Sequence, residues 1–173
     1  MKITFRIWMQ DRPESAGEFV EHTAADIESD MSFLEALDHI NQSRILSGHR
    51  AIEFDHDCRE GICGTCGVVI DGRTHGPLAA TTTCQLHMRS FSDGAVITVE
   101  PFRARAFPVI RDLKVDRSSL DRVARSGGYV STNIRAAPEA NSILIPRHAA
   151  QAAFDAASCI GCGACVASCK NAA

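Results

Sequence analysis

Two runs of closely spaced cysteine constrain this chain more than any other feature. Cys58, Cys63, Cys66 and Cys84 form one group, and Cys159, Cys162, Cys165 and Cys169 form the other; together they are all eight cysteines of the 173 residues. The start, Met1-Lys2-Ile3-Thr4-Phe5-Arg6-Ile7, alternates apolar and polar residues and contains no signal-peptide apolar region. A cytosolic chain is expected on that ground. Reducing compartments disfavour disulfides, so clustered thiols there point to metal. The balance of 18 basic against 21 acidic residues, a formal charge of -3, removes the electrostatic case for nucleic acid or anionic lipid. With 45% hydrophobic and 23% charged residues, the chain has enough apolar surface for a packed core, in one domain or two small ones.

Periodicity divides the chain at about residue 102. Ile3, Phe5, Ile7 and Met9 alternate with polar residues and predict a half-buried strand. Residues 17–23 are expected to pair back on it as a hairpin through the turn-like 11–15. Ser32-Phe33-Leu34-Glu35 matches a capping box, and Met31, Phe33, Leu34, Leu37 and Ile40 keep helical spacing to about Arg44. Further strands are predicted at 51–55, at 68–70 before the Asp71-Gly72 reversal, and at 95–100. Beyond Arg103 β-alternation is scarce. A short helix that begins at Ser118 and is stopped by Gly127-Gly128, a polar surface loop over 131–141 and an alanine-rich helix over 146–157 lead to the second cysteine group. The predicted class is α+β, an N-terminal mixed α/β unit over 1–102 followed by a helical unit over 103–173. No internal repeat relates the two cysteine groups, whose spacings and flanks differ.

In the first group, Cys58-Arg59-Glu60-Gly61-Ile62-Cys63-Gly64-Thr65-Cys66 with Cys84 gives C-x4-C-x2-C…C, the spacing of plant-type [2Fe-2S] sites. Three thiolates from one loop must converge on a small anionic core, with backbone N–H groups turned inward. Gly61, Gly64 and Gly67 allow that wrapping, and Cys84 completes the ligands of the second iron. A four-cysteine zinc site is the competing assignment, although it more often uses paired C-x2-C knuckles. Inert buried thiols are a poorer match, because three glycines interleave these cysteines.

The second group, Cys159-Ile160-Gly161-Cys162-Gly163-Ala164-Cys165-Val166-Ala167-Ser168-Cys169, is C-x2-C-x2-C-x3-C, the spacing of bacterial ferredoxin loops. There the first three cysteines hold one cubane, and the fourth, expected at the start of the following helix, serves another. Lys170 stands where Pro is usual, and no distant cysteine completes the cluster of Cys159, Cys162 and Cys165. Either the sequence is a fragment of a longer chain, or Cys169 folds back as the fourth ligand of a lone [4Fe-4S]. Truncation is the expectation, because a helix stopping at Ala173 is too short to stand alone.

Both loops in one chain, with the bridge from Val99-Glu100-Pro101-Phe102 through Phe107-Pro108 to Asp112-Leu113-Lys114-Val115-Asp116-Arg117, resemble the iron–sulfur subunit of the succinate dehydrogenase/fumarate reductase family. The likeness covers nearly the whole chain but only about the first two-thirds of such a subunit. It implies a β-grasp ferredoxin-like domain holding [2Fe-2S] through Cys58, Cys63, Cys66 and Cys84. It further implies a bacterial-ferredoxin-type domain, incomplete here, holding [4Fe-4S] and [3Fe-4S]. Cys159, Cys162 and Cys165 match the first three [4Fe-4S] ligands and Cys169 the first [3Fe-4S] ligand, the others lying in a later segment.

The same resemblance implies electron transfer between an FAD flavoprotein subunit and quinone at a cytochrome b-type membrane anchor, peripheral on the cytoplasmic face. A soluble ferredoxin-like carrier, or the iron–sulfur subunit of another flavoprotein reductase, is the alternative. Plant-type clusters lie near about -400 mV, low for accepting electrons from succinate, so donors from the glycine N–H groups and Thr65 are expected to raise the potential. Arg59 and Glu60 are either a flavoprotein contact or solvated loop charges. Trp8 is either a partner surface or an amphipathic packing residue. No histidine has Rieske spacing; His75 and His87, flanking Cys84, are the two of interest.

Overall fold

The computed structural model describes residues 1–127, 136–139 and 141–172. Strand β1, Ile3–Met9, buries Ile3, Phe5, Ile7 and Met9 as its alternation requires. It pairs antiparallel with β2, Glu18–Ala24, in the expected hairpin. Helix α1, Phe33–Leu46, opens with the full capping box. The Glu35 N–H donates to the Ser32 hydroxyl at 3.2 Å, and the Ser32 N–H donates to the Glu35 carboxylate at 2.6 Å. Those two hydrogen bonds with Ser32 hold the Glu35 carboxyl below its usual range. The helix lays Phe33, Ala36, Leu37 and Ile40 on the sheet, where the Phe33 ring meets Phe5 edge-on at 5.7 Å.

Strand β3, Val68–Ile70, turns through Asp71-Gly72, both at positive φ, into the short β4, Arg73–Thr74. After a single 3₁₀ turn at Met88–Ser90 comes β5, Val96–Pro101, which runs parallel to β1 and antiparallel to β3. The sheet order is β2-β1-β5-β3-β4. A five-stranded mixed sheet grasping one helix is the β-grasp arrangement expected from the resemblance.

Residues 51–55, predicted as a strand, are irregular. Their backbone groups are met by other partners. The Asn41 side chain bonds both the N–H and the C=O of Ile52, at 2.7 and 2.9 Å, and the Glu53 N–H donates to the Asp112 carboxylate at 3.0 Å. With side chains filling those positions, no ladder forms.

After Phe102 the chain makes a hairpin that periodicity did not foreshadow, β6 (Val109–Arg111) with β7 (Lys114–Val115). Its turn sends Leu113 into the main core, while Phe102, Phe107 and Val115 form a second cluster. Against that second cluster lie Leu120 of α2 (Ser118–Gly127) and Ala164, Val166 and Ala167 of α4 (Ala164–Ala167). Helix α3, Arg147–Ala157, precedes α4 and leaves Phe154 exposed. Of the expected loop over 131–141, residues 136–139 and 141 are exposed and outside any helix or strand, and the rest lies outside the described residues. Among the described residues no helix is long and apolar enough to cross a membrane.

Candidate metal centre

The first cysteine loop folds around the sulfur of its own first member. The N–H groups of Glu60, Ile62 and Cys63 converge on Cys58 Sγ at 3.3, 3.4 and 3.4 Å. This convergence requires tight backbone turns, and Arg59, Gly61 and Gly64 all adopt positive φ. For Arg59 that is unusual. It is held by a 2.6 Å bond to Asp38 of α1 and by the Gln85 side-chain amide, which donates to its carbonyl at 3.0 Å. Arg59 is therefore committed within the chain, whereas Glu60 beside it is exposed.

Hydroxyl groups supply the next donors. Thr65 Oγ1 lies 3.1 Å from Cys63 Sγ, and Thr82 Oγ1 lies 3.2 Å from Cys84 Sγ. Toward a thiolate each hydroxyl donates, since a deprotonated sulfur only accepts. Cys66 and Cys84 are 5% and 6% exposed and pack with Leu34 and Phe54. Burial raises the Cys66 thiol to about 11, whereas the N–H groups of Glu60, Cys63 and Ile62 lower the half-buried Cys58 to about 7. One end of the site is thus partly solvated and ready to ionise, and the other is dry.

The four cysteines fall into two pairs: the Cys63 N–H donates to Cys58 Sγ at 3.4 Å, and Cys66 and Cys84 pack in one buried cluster. Among the described residues no three Cys, His, Asp or Glu side chains gather around a single point as a mononuclear ion would need. Two pairs, with N–H and O–H donors aimed at the sulfurs, suit a core of two irons, each taking two thiolates. The donor set, soft sulfur throughout, suits an iron–sulfur group.

The second loop sits directly on the first. A Cβ added to Gly64 would stand 2.7 Å from the Cys162 Cα, so only glycine, already at φ 69°, permits the contact. Gly67 is needed for a different reason: a Cβ there would strike the Phe102 ring at 2.5 Å. Arg117 joins the loops, donating to the Gly64 carbonyl at 2.7 Å and to the Gly161 carbonyl at 2.5 Å. Thr74 and Ser168 meet through their hydroxyls at 3.0 Å, and the Arg105 N–H donates to the Ala172 carbonyl at 2.8 Å.

A groove of about 780 Å³ runs between the loops, and Cys159, Cys162 and Cys165 line it together with Gly61, Thr82 and His75. Cys169 does not line it and stands exposed. The Gly161 N–H points to Cys159 Sγ at 3.4 Å. Helix α4 begins from Gly163 at φ 79°, so Cys165 lies within it and Cys169 follows its end.

Arg117 went unassigned in the sequence because its partners lie 53 and 44 residues away in the chain. Thr82 likewise has no motif of its own; only its position two residues before Cys84 could have drawn attention to it. His87 is half-buried, with Nδ1 3.0 Å from the Gln85 carbonyl. Trp8 packs edge-on against Phe19 at 5.3 Å and under the Arg103 guanidinium at 4.3 Å, and its N–H donates to Gln10. Those contacts favour packing over a partner surface.

Comparison with known proteins agrees with this geometry. A family model described as "2Fe-2S iron-sulfur cluster binding domain" matches residues 4–122. The chain is 35% identical to a fumarate reductase iron-sulfur subunit of Wolinella succinogenes, over 68% of this chain and 46% of that protein. It is 26% identical to a succinate dehydrogenase iron-sulfur subunit of Bacillus subtilis, over 98% of this chain and 64% of that protein. The solved Mycobacterium smegmatis Sdh1 complex in the apo form contains a chain of the same fold, with a TM-score of 0.73 and 23% identity, covering 99% of this chain and 64% of that one. The chain thus spans between about half and two-thirds of the length of these relatives.

Proposed function

The chain belongs to the 2Fe-2S iron–sulfur cluster binding domain family, and from that membership we propose that it is the electron-carrying iron–sulfur part of a succinate dehydrogenase or fumarate reductase assembly. Its role is to pass electrons between an FAD flavoprotein subunit and quinone at a cytochrome b-type membrane anchor. The observation that carries this reading is the gathering of Cys58, Cys63, Cys66 and Cys84 at one site, with the second cysteine loop seated against it through Gly64. A free plant-type carrier has no use for the second loop.

In this reading Cys58 and Cys63 hold one iron of a [2Fe-2S] cluster, and Cys66 and Cys84 hold the other. Cys159, Cys162 and Cys165 take three corners of a [4Fe-4S] cluster, and Cys169 begins a [3Fe-4S] site, the remaining ligands lying in a longer chain. When bound, such clusters supply one-electron chemistry at iron.

This chain's residues do the rest. The N–H groups on Cys58 and the hydroxyls of Thr65 and Thr82 stabilise negative charge at the ligand sulfurs, which favours the reduced state and raises the potential. Leu34 and Phe54 exclude water from the Cys66 and Cys84 side. Arg117 holds the loops at a fixed separation. Residues 1–102 act as the first cluster domain and 103–173 as the second, with the hairpin of β6 and β7 as the strap between them.

Anaerobic affinity purification of the tagged full-length protein from its own cells tests this assignment. A large FAD protein retained in equal amount, and reduction of the first-site EPR signal by succinate, are expected. A flavin-free monomer that takes electrons only from a general reductant would favour the ferredoxin-like carrier instead.

A further inference from the structure

His75 is a buried histidine whose ring nitrogens find no partner among the described residues. It follows β4 with φ 63°, a conformation in which histidine is enriched among non-glycine residues, and its N–H closes the β3–β4 turn on the Val68 carbonyl at 2.9 Å. The residue is 8% exposed, and its ring stands edge-on to Phe102 at 5.2 Å. Neither Nδ1 nor Nε2 has a hydrogen-bond partner among the described residues. A buried polar group left unpaired is destabilising, so such a group in a folded protein calls for an explanation.

The surroundings supply one. His75 lines the groove that Cys159, Cys162 and Cys165 also line. Those three cysteines bring only soft, anionic acceptors to it, whereas imidazole, neutral or charged, carries at least one N–H. Phe102, which packs the His75 ring, also packs Gly67 of the first loop, so the ring is fixed where the two loops meet.

We propose that His75 is a positioning residue of the second cysteine loop, donating its ring N–H to a sulfur of the iron–sulfur group held by Cys159, Cys162 and Cys165. The inference rests on the reading of that loop as a cluster site. A donor there stabilises the more negative, reduced cluster and so raises its potential.

The test compares wild type with His75→Phe in the anaerobically purified holo-complex. Redox titration and proton ENDOR of the reduced second-loop cluster are the readouts. The variant is expected to lose one exchangeable proton coupling and to shift the reduction equilibrium about tenfold toward the oxidised form, ~59 mV for one electron. The first-site potential should stay where it is.

His75→Asn and His75→Gln place an amide N–H near the positions of Nδ1 and Nε2, and one of the two should restore both signals. This pair decides the matter even where His75→Phe does not fold, since failure of both to keep the coupling and the potential overturns the proposal. A second-loop cluster indifferent to His75→Phe also overturns it, leaving the functional reading intact. Wild-type protein without iron in the second loop overturns that reading and the inference with it.

Discussion

Replacing Cys84 by Ala strips about two irons and two acid-labile sulfides from each chain and abolishes the reduced first-site EPR signal. Cys84 is the one ligand of the first group supplied from outside the 58–66 loop. It is 6% exposed and pairs with Cys66, so neither water nor a neighbouring side chain can take its place. The change removes only one sulfur from the interior, and the fold should survive it, as a cooperative thermal transition would show. Cys169→Ala, at an exposed position off the groove, should leave the first-site signal intact. Burial has already pushed the Cys66 thiol up to about 11, so binding iron there must displace a proton. Cluster reconstitution is accordingly favoured as pH rises from about 7 to 9. A Cys84→Ala protein with unchanged iron and an unchanged spectrum would contradict the assignment.

Asp112→Ala should destabilise the protein by about 3–5 kcal/mol. Asp112 is 0% exposed, in the β6–β7 turn, and accepts from the N–H groups of Gln10 at 2.8 Å and Glu53 at 3.0 Å and from the Arg50 guanidinium at 2.5 and 3.0 Å. It therefore ties the end of β1 and the segment leading into the first cysteine loop to the hairpin. Alanine leaves the buried Gln10 N–H and the part-buried Glu53 N–H without this acceptor; Arg50 retains Asp11 at 2.8 Å, a more exposed partner, and the Ala51 carbonyl at 3.2 Å. At about 2–4 °C per kcal/mol for a chain of this size, the melting temperature should fall by about 6–20 °C.

Burial by itself would raise the Asp112 pKa, but the Arg50 guanidinium and the Glu53 and Gln10 N–H groups outweigh it and hold the carboxyl below its usual value. A depressed folded-state pKa means that this stabilisation is present above the ordinary carboxylate range and is lost as pH falls through the lower, folded value. The gap between wild type and Asp112→Ala in urea melts should therefore narrow below about pH 4. A gap that is small at pH 7 would show that the network contributes little.

Where one local rule decides the outcome, the sequence was legible. The alternation of Ile3 to Met9, the Ser32–Glu35 capping box and the Asp71-Gly72 reversal each involve neighbours in the chain, and each formed as expected. The first cysteine loop was legible for the same reason, its three cysteines and three glycines lying within ten residues. What stayed hidden depends on partners far apart in sequence. Asp112 and Asn41 satisfy the backbone of 51–55 and cancel a strand that local pattern favoured. Arg117 bridges carbonyls from both loops, and the Gly64 contact with Cys162 exists only once the second unit has folded onto the first. His75 was singled out for its place near Cys84, but its unpartnered ring became evident only with the packing of Phe102 around it.

The central claim is that the paired thiols of Cys58, Cys63, Cys66 and Cys84 hold a two-iron cluster. Iron and acid-labile sulfide per chain on anaerobically purified protein, read with EPR of the dithionite-reduced form, test it most directly. The expected result is at least about two irons and two sulfides per chain with a reduced [2Fe-2S] signal, and about four more irons where the second loop is also filled. Colourless protein containing zinc and no acid-labile sulfide would contradict it.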